Sequence, residues 1–308
     1  MRLFSDADYD LVGSRKAAYI FSAVLILISL IAIVSKGLQY GIDFTGGKEY
    51  VVEFEENVEV ADVRDALTDV LEKAPQVIYF GNPTEVAIRT GEEGGVREVE
   101  ESIISSLQQL YPENDLDVIK TSNVGASFAE DLQGAATNAV IFALVIIFIY
   151  VLIRFKKWTY STGAVLGLAH DVIIVLGIFT IFAGIAPFNM DIDQALIAAF
   201  LTIVGYSIND TVVVFDRVRE NLHKHKGKDF EQVMNRGMNQ TLSRTIITSL
   251  TTFFTVTVLF LFGGETLKGF SLALMLGIIF GTYSSIFVAT SITIDLENYR
   301  RNKAKAAN

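Results

Sequence analysis

Apolar residues occur in six long blocks along this chain of 308 residues. A hydrocarbon core about 30 Å thick needs roughly 20 helical residues to cross it, and each block is long enough to do so. The pattern therefore predicts a polytopic α-helical membrane protein. The six predicted transmembrane helices cover residues 17–35, 135–153, 161–186, 195–216, 245–262 and 270–294.

Lysine and arginine are concentrated in alternate connections between these blocks. Such residues favour the cytoplasmic side in short loops. They occur in the N-terminal residues 1–16, in the turn after the second block, in the loop 217–244 and in the tail 295–308, whereas the remaining short loops hold only Lys268. We therefore expect both termini in the cytoplasm and residues 36–134 on the outer side. The first block is longer than the apolar core of a secretory signal, so we expect it to be retained.

The long outer segment has the pattern of a small folded domain. Between residues 36 and 131 there are 7 Lys and Arg against 21 Asp and Glu, so the net charge of −10 of the whole chain is a property of this segment. No cysteine is present to form disulfides. Apolar alternation marks strands and helical spacing marks helices, in the order βαββαβ, which predicts an α+β ferredoxin-like domain at 36–134. The strands lie near 50–56, 76–80, 84–90 and 115–124, and the helices near 60–71 and 96–110.

Ionisable residues inside the apolar blocks are the strongest functional signal. Asp210 lies about 14 residues, or roughly 21 Å, into the fourth block. A carboxylate at such depth costs roughly 2.5–3.5 kcal/mol to insert and usually carries function. Asp171 lies near the middle of the third block, and Arg244 stands at the start of the fifth. The alternating helix directions bring all three to similar depths, so we predict an ion-coupling site formed by Asp210, Arg244 and Asp171.

Each of these residues also has a structural interpretation. Movement of an arginine relative to a buried carboxylate changes the proton affinity of the carboxylate, which would couple Arg244 and Asp210 to ion movement. Alternatively, Asp210 joins Asn209 in a static hydrogen bond between helices, Asp171 and His170 form a polar pair that holds helices together, and Arg244 is an interfacial anchor. Four threonines in the fifth block either hydrate an ion path or bond back to their own helix. These are Thr245, Thr248, Thr252 and Thr255.

Other signals argue against enzymatic chemistry. The chain has no G-x-x-x-x-G-K-[ST] loop for nucleotide phosphates. The histidines of HKHKGK (223–228) have no carboxylate or cysteine neighbours at metal-ligand spacing, so we expect neither a metal nor a cofactor. Small residues recur every fourth position in the sixth block, from Ala273 through Gly277 and Gly281 to Ala289, and predict close helix packing. We expect a protein that is not an enzyme and that binds no nucleic acid.

Four segments resemble the SecF family of bacterial protein-export membrane subunits. They are GIDFTGG (41–47), AHDVII (169–174), VGYSINDTVVVFDRVREN (204–221) and LSRTIITSLTT (242–252), in the order and spacing of that family. The resemblance covers nearly the whole chain. It marks a further set of residues as motif or structural positions, although Lys48 and Glu49 are less typical of the family. The set comprises Gly41, Asp43, Gly46, Gly47, Gly205 and Asn209.

The resemblance implies a specific machine. SecF is similar in architecture to half of an RND-type transporter, with SecD supplying the other six helices. The pair associates with the SecYEG channel in the bacterial inner membrane and uses the proton-motive force, or a sodium gradient, to assist preprotein translocation. In that family the aspartate of the fourth span and the arginine of the fifth are functionally important, and they correspond here to Asp210 and Arg244. The resemblance also makes Asp171 a further candidate for ion coupling. It implies membrane lipid as the partner that surrounds the helices.

Two other functions remain open from the sequence. One is a half-size RND-type exporter of small amphiphiles, which would act in vesicles that lack the translocon. The other is a passive scaffold that supports translocon assembly without conducting ions. Substitution of Asp210 distinguishes the motor from the scaffold, since only the motor depends on an ionisable group at that position.

Overall fold

A computed structural model describes residues 8–225 and 227–306. The first seven residues of the predicted N-terminal segment, Lys226 of the basic loop and the last two residues of the tail lie outside the described residues. The chain forms helices α1 (Arg15–Lys36) and α2 (Ile42–Thr45), an α+β domain, and then a series of long helices. These are α5 (Ala126–Phe155), α6 (Trp158–Phe182), α7 (Gln194–Lys224), α8 (Phe230–Phe262), α9 (Glu265–Ser284) and α10 (Thr290–Ala306), with a π-helical turn at Ser285–Ala289 between the last two.

Six helices of the described chain are long and apolar enough to cross a membrane, as the six blocks predicted. They are α1, α5, α6, α7, α8 and the continuous element formed by α9, the π turn and α10. Half of the most apolar window of α6 is buried, but only 6% of that of α5 and 17% of that of α8. Helices α6, α7 and α9 therefore form the centre of the bundle, while α5 and α8 present apolar faces outward.

Several helix ends differ from those expected. The loop predicted at 217–244 is mostly helical, because α7 continues to Lys224 and α8 begins at Phe230. These extensions are amphipathic: one face buries Val218, Met234 and Met238, while polar residues on the other lower the mean hydropathy below that of a membrane span. The third span was predicted to reach residue 186, but α6 ends at Phe182, before a turn in which Gly184 has a φ of 76°. The described part of the tail is also helical.

The α+β domain contains the predicted βαββαβ order. Its elements are β1 (Gly47–Phe54), α3 (Val60–Thr68), β2 (Gln76–Phe80), β3 (Asn82–Thr90), α4 (Val96–Leu110) and β4 (Leu116–Val124). The strands form one antiparallel sheet in the order β2-β3-β1-β4. Tyr50 and Val52 of β1 pack with Val63 of α3 and Ile103 of α4 in a closed core. Because side chains alternate across a strand, the neighbouring Glu49 belongs to the other sheet face.

Two consecutive glycines join the short helix α2 to β1. Gly46 and Gly47 have φ values of 72° and 123°, a region that residues with a Cβ rarely adopt. A Cβ on Gly47 would also lie 2.7 Å from the carbonyl oxygen of Thr90. The connection thus requires glycine for both backbone conformation and space.

Gly47→Ala should destabilise the start of β1 by about 1–3 kcal/mol, because the alanine must adopt a strained backbone and displace β3. Hydrogen exchange of the β1 and β3 amides in the purified chain measures this loss. Gly91→Ala is the matched control, since its φ is not positive and its Cβ would meet, in the described part of the chain, only the side chain of Lys73 at 3.6 Å. Equal exchange in the two variants would contradict the account.

Candidate functional site

Asp171 lies at the centre of the bundle with its side chain fully enclosed. Its Oδ2 accepts hydrogen bonds from Ser207 Oγ of α7 and Ser284 Oγ of α9, each at 2.8 Å. Its Oδ1 lies 2.9 Å from Nδ1 of His170. Three polar partners on three helices thus surround one carboxylate, which is how a membrane protein compensates the removal of such a group from water.

The contacts of Asp171 continue to the first helix. Nε2 of His170 lies 3.1 Å from Oγ of Ser22 on α1, and Ser22 is hydrogen-bonded to Tyr283 at 3.0 Å. The Tyr283 hydroxyl in turn donates to the carbonyl of Ala18. A chain of polar side chains therefore runs from the bundle centre to α1. The pair of Asp171 and His170 joins helices, as the structural interpretation expected, and also belongs to this larger network.

Asp210 is also buried, with 4% of its surface exposed, but it has weaker support. Ser249 Oγ of α8 donates to Oδ2 of Asp210 at 3.4 Å, and Thr282 of α9 donates to Ser249 at 2.6 Å. Within the described residues Asp210 has no ion pair. The carboxylate therefore lies at the meeting point of α7, α8 and α9 with a single long hydrogen bond.

Helices α7 and α9 connect the two carboxylates. Ser207, which donates to Asp171, lies one turn before Asp210 on α7. On α9, Ser284 donates to Asp171 directly, and Thr282 donates to Ser249, the hydrogen-bond donor of Asp210. Gly281 permits this approach, since a Cβ there would lie 3.0 Å from Cβ of Ser207. The small residues predicted to pack helices thus also admit the hydroxyls that hold the carboxylates.

Arg244 does not join this network. Its side chain is exposed and forms no ion pair with Asp210 within the part of the chain that the structure describes. It lines a small cavity of about 350 Å³ between the C-terminal part of α7 and the N-terminal half of α8, together with Asp216, Arg217 and Glu220. The structure therefore brings Asp171 and Asp210 onto one set of helices and leaves Arg244 at the surface beside them.

Other predicted positions on α7 and α8 have separate environments. Asn209 is exposed and Gly205 has open space where a Cβ would be, so the alternative of a helix-joining hydrogen bond through Asn209 has no support in the described contacts. Thr248, Thr252 and Thr255 donate to carbonyls one turn earlier in α8. These hydroxyls bond back to their own helix, one of the two roles considered for them.

The GIDFTGG segment docks on the beginning of α7. The amide of Gly41 donates to the carbonyl of Ile192, and Asp43 Oδ2 accepts from the amide of Gln194 at 3.0 Å. Asp193 caps the same helix by accepting from the amide of Leu196 at 2.7 Å. Two carboxylates thus satisfy amides at the positive end of the helix that carries Asp210.

An ion-pair network joins the α+β domain to the membrane bundle. Arg89 of β3 donates through Nε to Glu49 of β1 at 2.6 Å and through Nη1 to Asp191 in the connection between α6 and α7. Lys120 of β4 also contacts Glu49, at 3.0 Å. Side chains of Arg89, Glu49 and Asp191 are each at most 8% exposed. The sheet face opposite α3 and α4 therefore binds the bundle through charges removed from water.

The pKa of Glu49 reflects this environment. Burial raises the pKa of the carboxyl, but the charges and hydrogen bonds of Arg89 and then Lys120 outweigh it, and the pKa is lowered overall. A lowered folded-state pKa means that the contribution to stability is present above the ordinary Glu pKa of about 4.3 and is lost as the pH falls through the folded value. The network is thus complete at neutral pH.

Sequence reasoning missed most of the partners of these carboxylates. Ser207, Ser249, Thr282 and Ser284 are small polar residues that membrane helices use for packing, and only their positions near Asp210 or on the small-residue face hinted at a polar role. Arg89 and Asp191 are 102 positions apart, and neither stood out in its segment.

Taken together, the six membrane helices, the α+β domain after the first of them and the buried carboxylates define a multi-pass membrane protein of the transporter type. The family model described as "Protein export membrane protein SecD/SecF, C-terminal" matches residues 103–299, and the SecD/SecF GG motif matches residues 31–58. The Gly46 and Gly47 pair lies in the second match.

Relatives agree over almost the full length. The protein translocase subunit SecF of Rhodothermus marinus is 51% identical over 296 residues, which are 96% of this chain and 96% of the relative. That of Haemophilus influenzae is 42% identical, over 92% of this chain and 84% of the relative. The chain therefore belongs to the SecF family of protein translocase subunits.

Solved structures show the same fold. The crystal structure of SecDF, a translocon-associated membrane protein from Thermus thermophilus, superposes with a TM-score of 0.85 at 35% identity and covers 97% of this chain. A SecDF structure in a super-membrane-facing form gives a TM-score of 0.71 at 34% identity over 98% of this chain. The chain spans 40% of the length of each of these SecDF chains.

Ser284→Ala should destabilise the bundle by about 0.5–2 kcal/mol, because Asp171 loses one interhelical donor while remaining buried. Unfolding of the purified chain by increasing SDS, followed by circular dichroism, measures the change. Ser285→Ala is the control, since that hydroxyl donates to Thr282 of its own helix. An equal loss in both variants would show that the bond to Asp171 contributes nothing specific.

Arg89→Met should release the α+β domain from the bundle, because Glu49 and Asp191 are left buried without their cation. Loss of one partner of a buried ion pair costs roughly 3–5 kcal/mol. Hydrogen exchange of the 189–194 connection reports the release as faster exchange. Arg97→Met, an exposed arginine on α4, is the control. Unchanged exchange in Arg89→Met would rule out the ion pairs as the attachment.

Proposed function

We propose that this chain is a SecF-type subunit of the Sec protein-export machinery. It acts with SecD to assist preprotein translocation through SecYEG in the bacterial inner membrane, with a proton or sodium gradient as the energy source and no enzymatic step of its own. The basic residues of the loops favour cytoplasmic termini and an α+β domain on the outer side. Family membership supports the assignment to the export machinery.

One observation carries the coupling role. Asp210 is buried among α7, α8 and α9 with one hydrogen bond of 3.4 Å and, among the described residues, no ion pair. Asp171, in contrast, has three polar partners. A carboxylate that is enclosed but weakly held can change its protonation or bind a cation without breaking a tight network. Asp210 is therefore the residue that exchanges the ion, and Asp171 holds the helices around it.

Arg244 supplies charge from the edge of the bundle. It lies near the middle of α8, at the predicted cytoplasmic boundary of the fifth membrane span, and less than two helical turns from Ser249, which contacts Asp210. Movement of α8 relative to α7 would change the distance from the guanidinium to the carboxylate. Arg244 and Asp210 therefore pair in only one state of the transport cycle, the state in which α8 brings the guanidinium close to the carboxylate.

The chain works as one half of a larger unit. It spans 40% of the solved SecDF chains, and α5 and α8 leave most of their apolar windows unburied. A SecD partner would cover part of this surface, with lipid covering the rest. Co-purification with a SecD-like protein from the source membrane tests this arrangement directly, and isolation of the chain without such a partner would count against it.

Asp210→Asn should abolish the part of preprotein translocation that depends on the ion gradient, because an amide cannot bind and release a proton. Translocation into inverted membrane vesicles, with and without an ionophore, measures that part. Asp229→Asn is the matched control: it makes the same substitution at the exposed N-cap of α8, where asparagine caps equally well.

The outcomes separate the possible functions. Normal assembly with lost gradient dependence supports the motor. Unchanged translocation by Asp210→Asn would refute the motor and leave the passive scaffold. Efflux of a small amphiphile from vesicles lacking the translocon would instead support the exporter.

A further inference from the structure

A basic pocket lies at the turn between α5 and α6, at the end of the bundle opposite the α+β domain. Its volume is about 760 Å³. Among the residues that the structure describes, four cationic side chains and one histidine line it, and no carboxylate does. They are Arg154, Lys156, Lys157, Arg219 and His223. The proposed function uses none of these residues.

Two of the cations have carboxylate partners. Arg154 contacts Asp216 at 2.6 Å, and Lys157 contacts the fully buried Glu297 at 3.0 Å. Arg219 donates to the carbonyl of Arg154 at 2.8 Å, which closes the end of α5. Within the described ranges neither Lys156 nor Arg219 forms an ion pair. The pocket therefore keeps an excess of positive charge after its internal pairs are counted.

Lys156 has an unusual backbone. It is the only residue other than glycine with a positive φ in the described chain, at 57°. Glycine or asparagine adopts this conformation more easily at the end of a helix. A strained position occupied by an exposed cation points to a role for the charge.

The pocket is also amphipathic. Ile153, which lines it, lies on the apolar face of α5 and is 70% exposed. The side chains of Phe155, Tyr160 and Phe215 pack edge to face or stacked beneath it, with ring centroids 4.9–5.6 Å apart. Positive charge at the rim of the apolar region, beside a rigid apolar wall, matches a molecule with an anionic head and an acyl chain.

We propose that this pocket binds the headgroup of an anionic phospholipid. Lys156 and Arg219 contact the phosphodiester, and an acyl chain lies along Ile153 of α5. Basic pockets at the ends of transmembrane helices recognise such headgroups through this combination of charge and depth. The site goes beyond the proposed export function and does not depend on it.

Trp158, the only tryptophan of the chain, provides the readout. It follows the pocket residue Lys157 directly and is 47% exposed. The full chain is reconstituted in phosphatidylcholine vesicles that contain increasing fractions of phosphatidylglycerol with brominated acyl chains, and quenching of Trp158 fluorescence is measured. Phosphatidylcholine with the same brominated chains is the reference. We expect half-maximal quenching at a mole fraction at least about fivefold lower for the anionic lipid, as one lipid-contacting cation provides.

The decisive variant is Lys156→Asn, which removes the charge but keeps a residue that tolerates the left-handed backbone. It should lose about fivefold of the preference for the anionic lipid, whereas Lys156→Arg should retain it. Lys303→Gln removes an exposed charge from α10 at the same end of the bundle and should have no effect.

Three outcomes would overturn the proposal. The first is equal quenching by the two brominated lipids in the wild-type chain. The second is an equal preference in Lys156→Asn and Lys303→Gln. The third is loss of the preference when sodium phosphate replaces sodium chloride at the same ionic strength, which would assign the pocket to a soluble phosphate ion instead of a lipid.

Discussion

A carboxylate inside a hydrocarbon layer has no water to bind, so the protein must provide every polar contact that it receives. In this chain that requirement determines how the central helices meet. Asp171 draws Ser207 and Ser284 to one oxygen, which is possible only because Gly281 lets α9 approach α7 closely. The π-helical turn begins immediately after Ser284. The packing of α6, α7 and α9 is thus organised around a polar atom, and the apolar contacts fill the space that remains.

The ion pairs of Arg89 with Glu49 and Asp191 form a second charged layer, between the α+β domain and the bundle, and its physical basis differs from that of the buried carboxylates. The antiparallel sheet uses one face for the core with α3 and α4, and the alternation of side chains leaves Glu49 and Arg89 on the other. Burial of such ions contributes little net stability, because desolvation offsets the attraction. Their contribution is specificity. Arg89 satisfies two carboxylates only when the α+β domain sits on the connection that carries Asp191, so the domain has one favoured position on the bundle.

The features predicted well from sequence were those set by local patterns. Six apolar blocks gave six helices, and alternation gave the βαββαβ order. The patterns failed where amphipathic helix continues out of the membrane, as at Val218 and Met234, because hydropathy alone ends there. Asp171 and Asp210 could be predicted because a carboxylate is rare in an apolar helix. Their serine partners lie on other helices, and a serine in an apolar helix does not by itself indicate which residue it will bind. The contact of Arg89 with Asp191 joins residues 102 positions apart and exists only in the folded chain, so no local pattern could predict it.

Helix α7 runs directly from the ion pairs at the α+β domain to the buried carboxylate of Asp210. Its first residue, Gln194, donates to Asp43 next to the attachment of the α+β domain, and Asp210 follows 16 residues later, roughly 24 Å along the same rigid rod. A rod of that length acts as a lever: a tilt of about 5° at the capped end displaces the carboxylate by about 2 Å, comparable with the difference between a made and a broken hydrogen bond. A pull on the α+β domain therefore acts at the first turn of α7, and a change of charge at Asp210 acts further along the same helix, so that either one shifts the other.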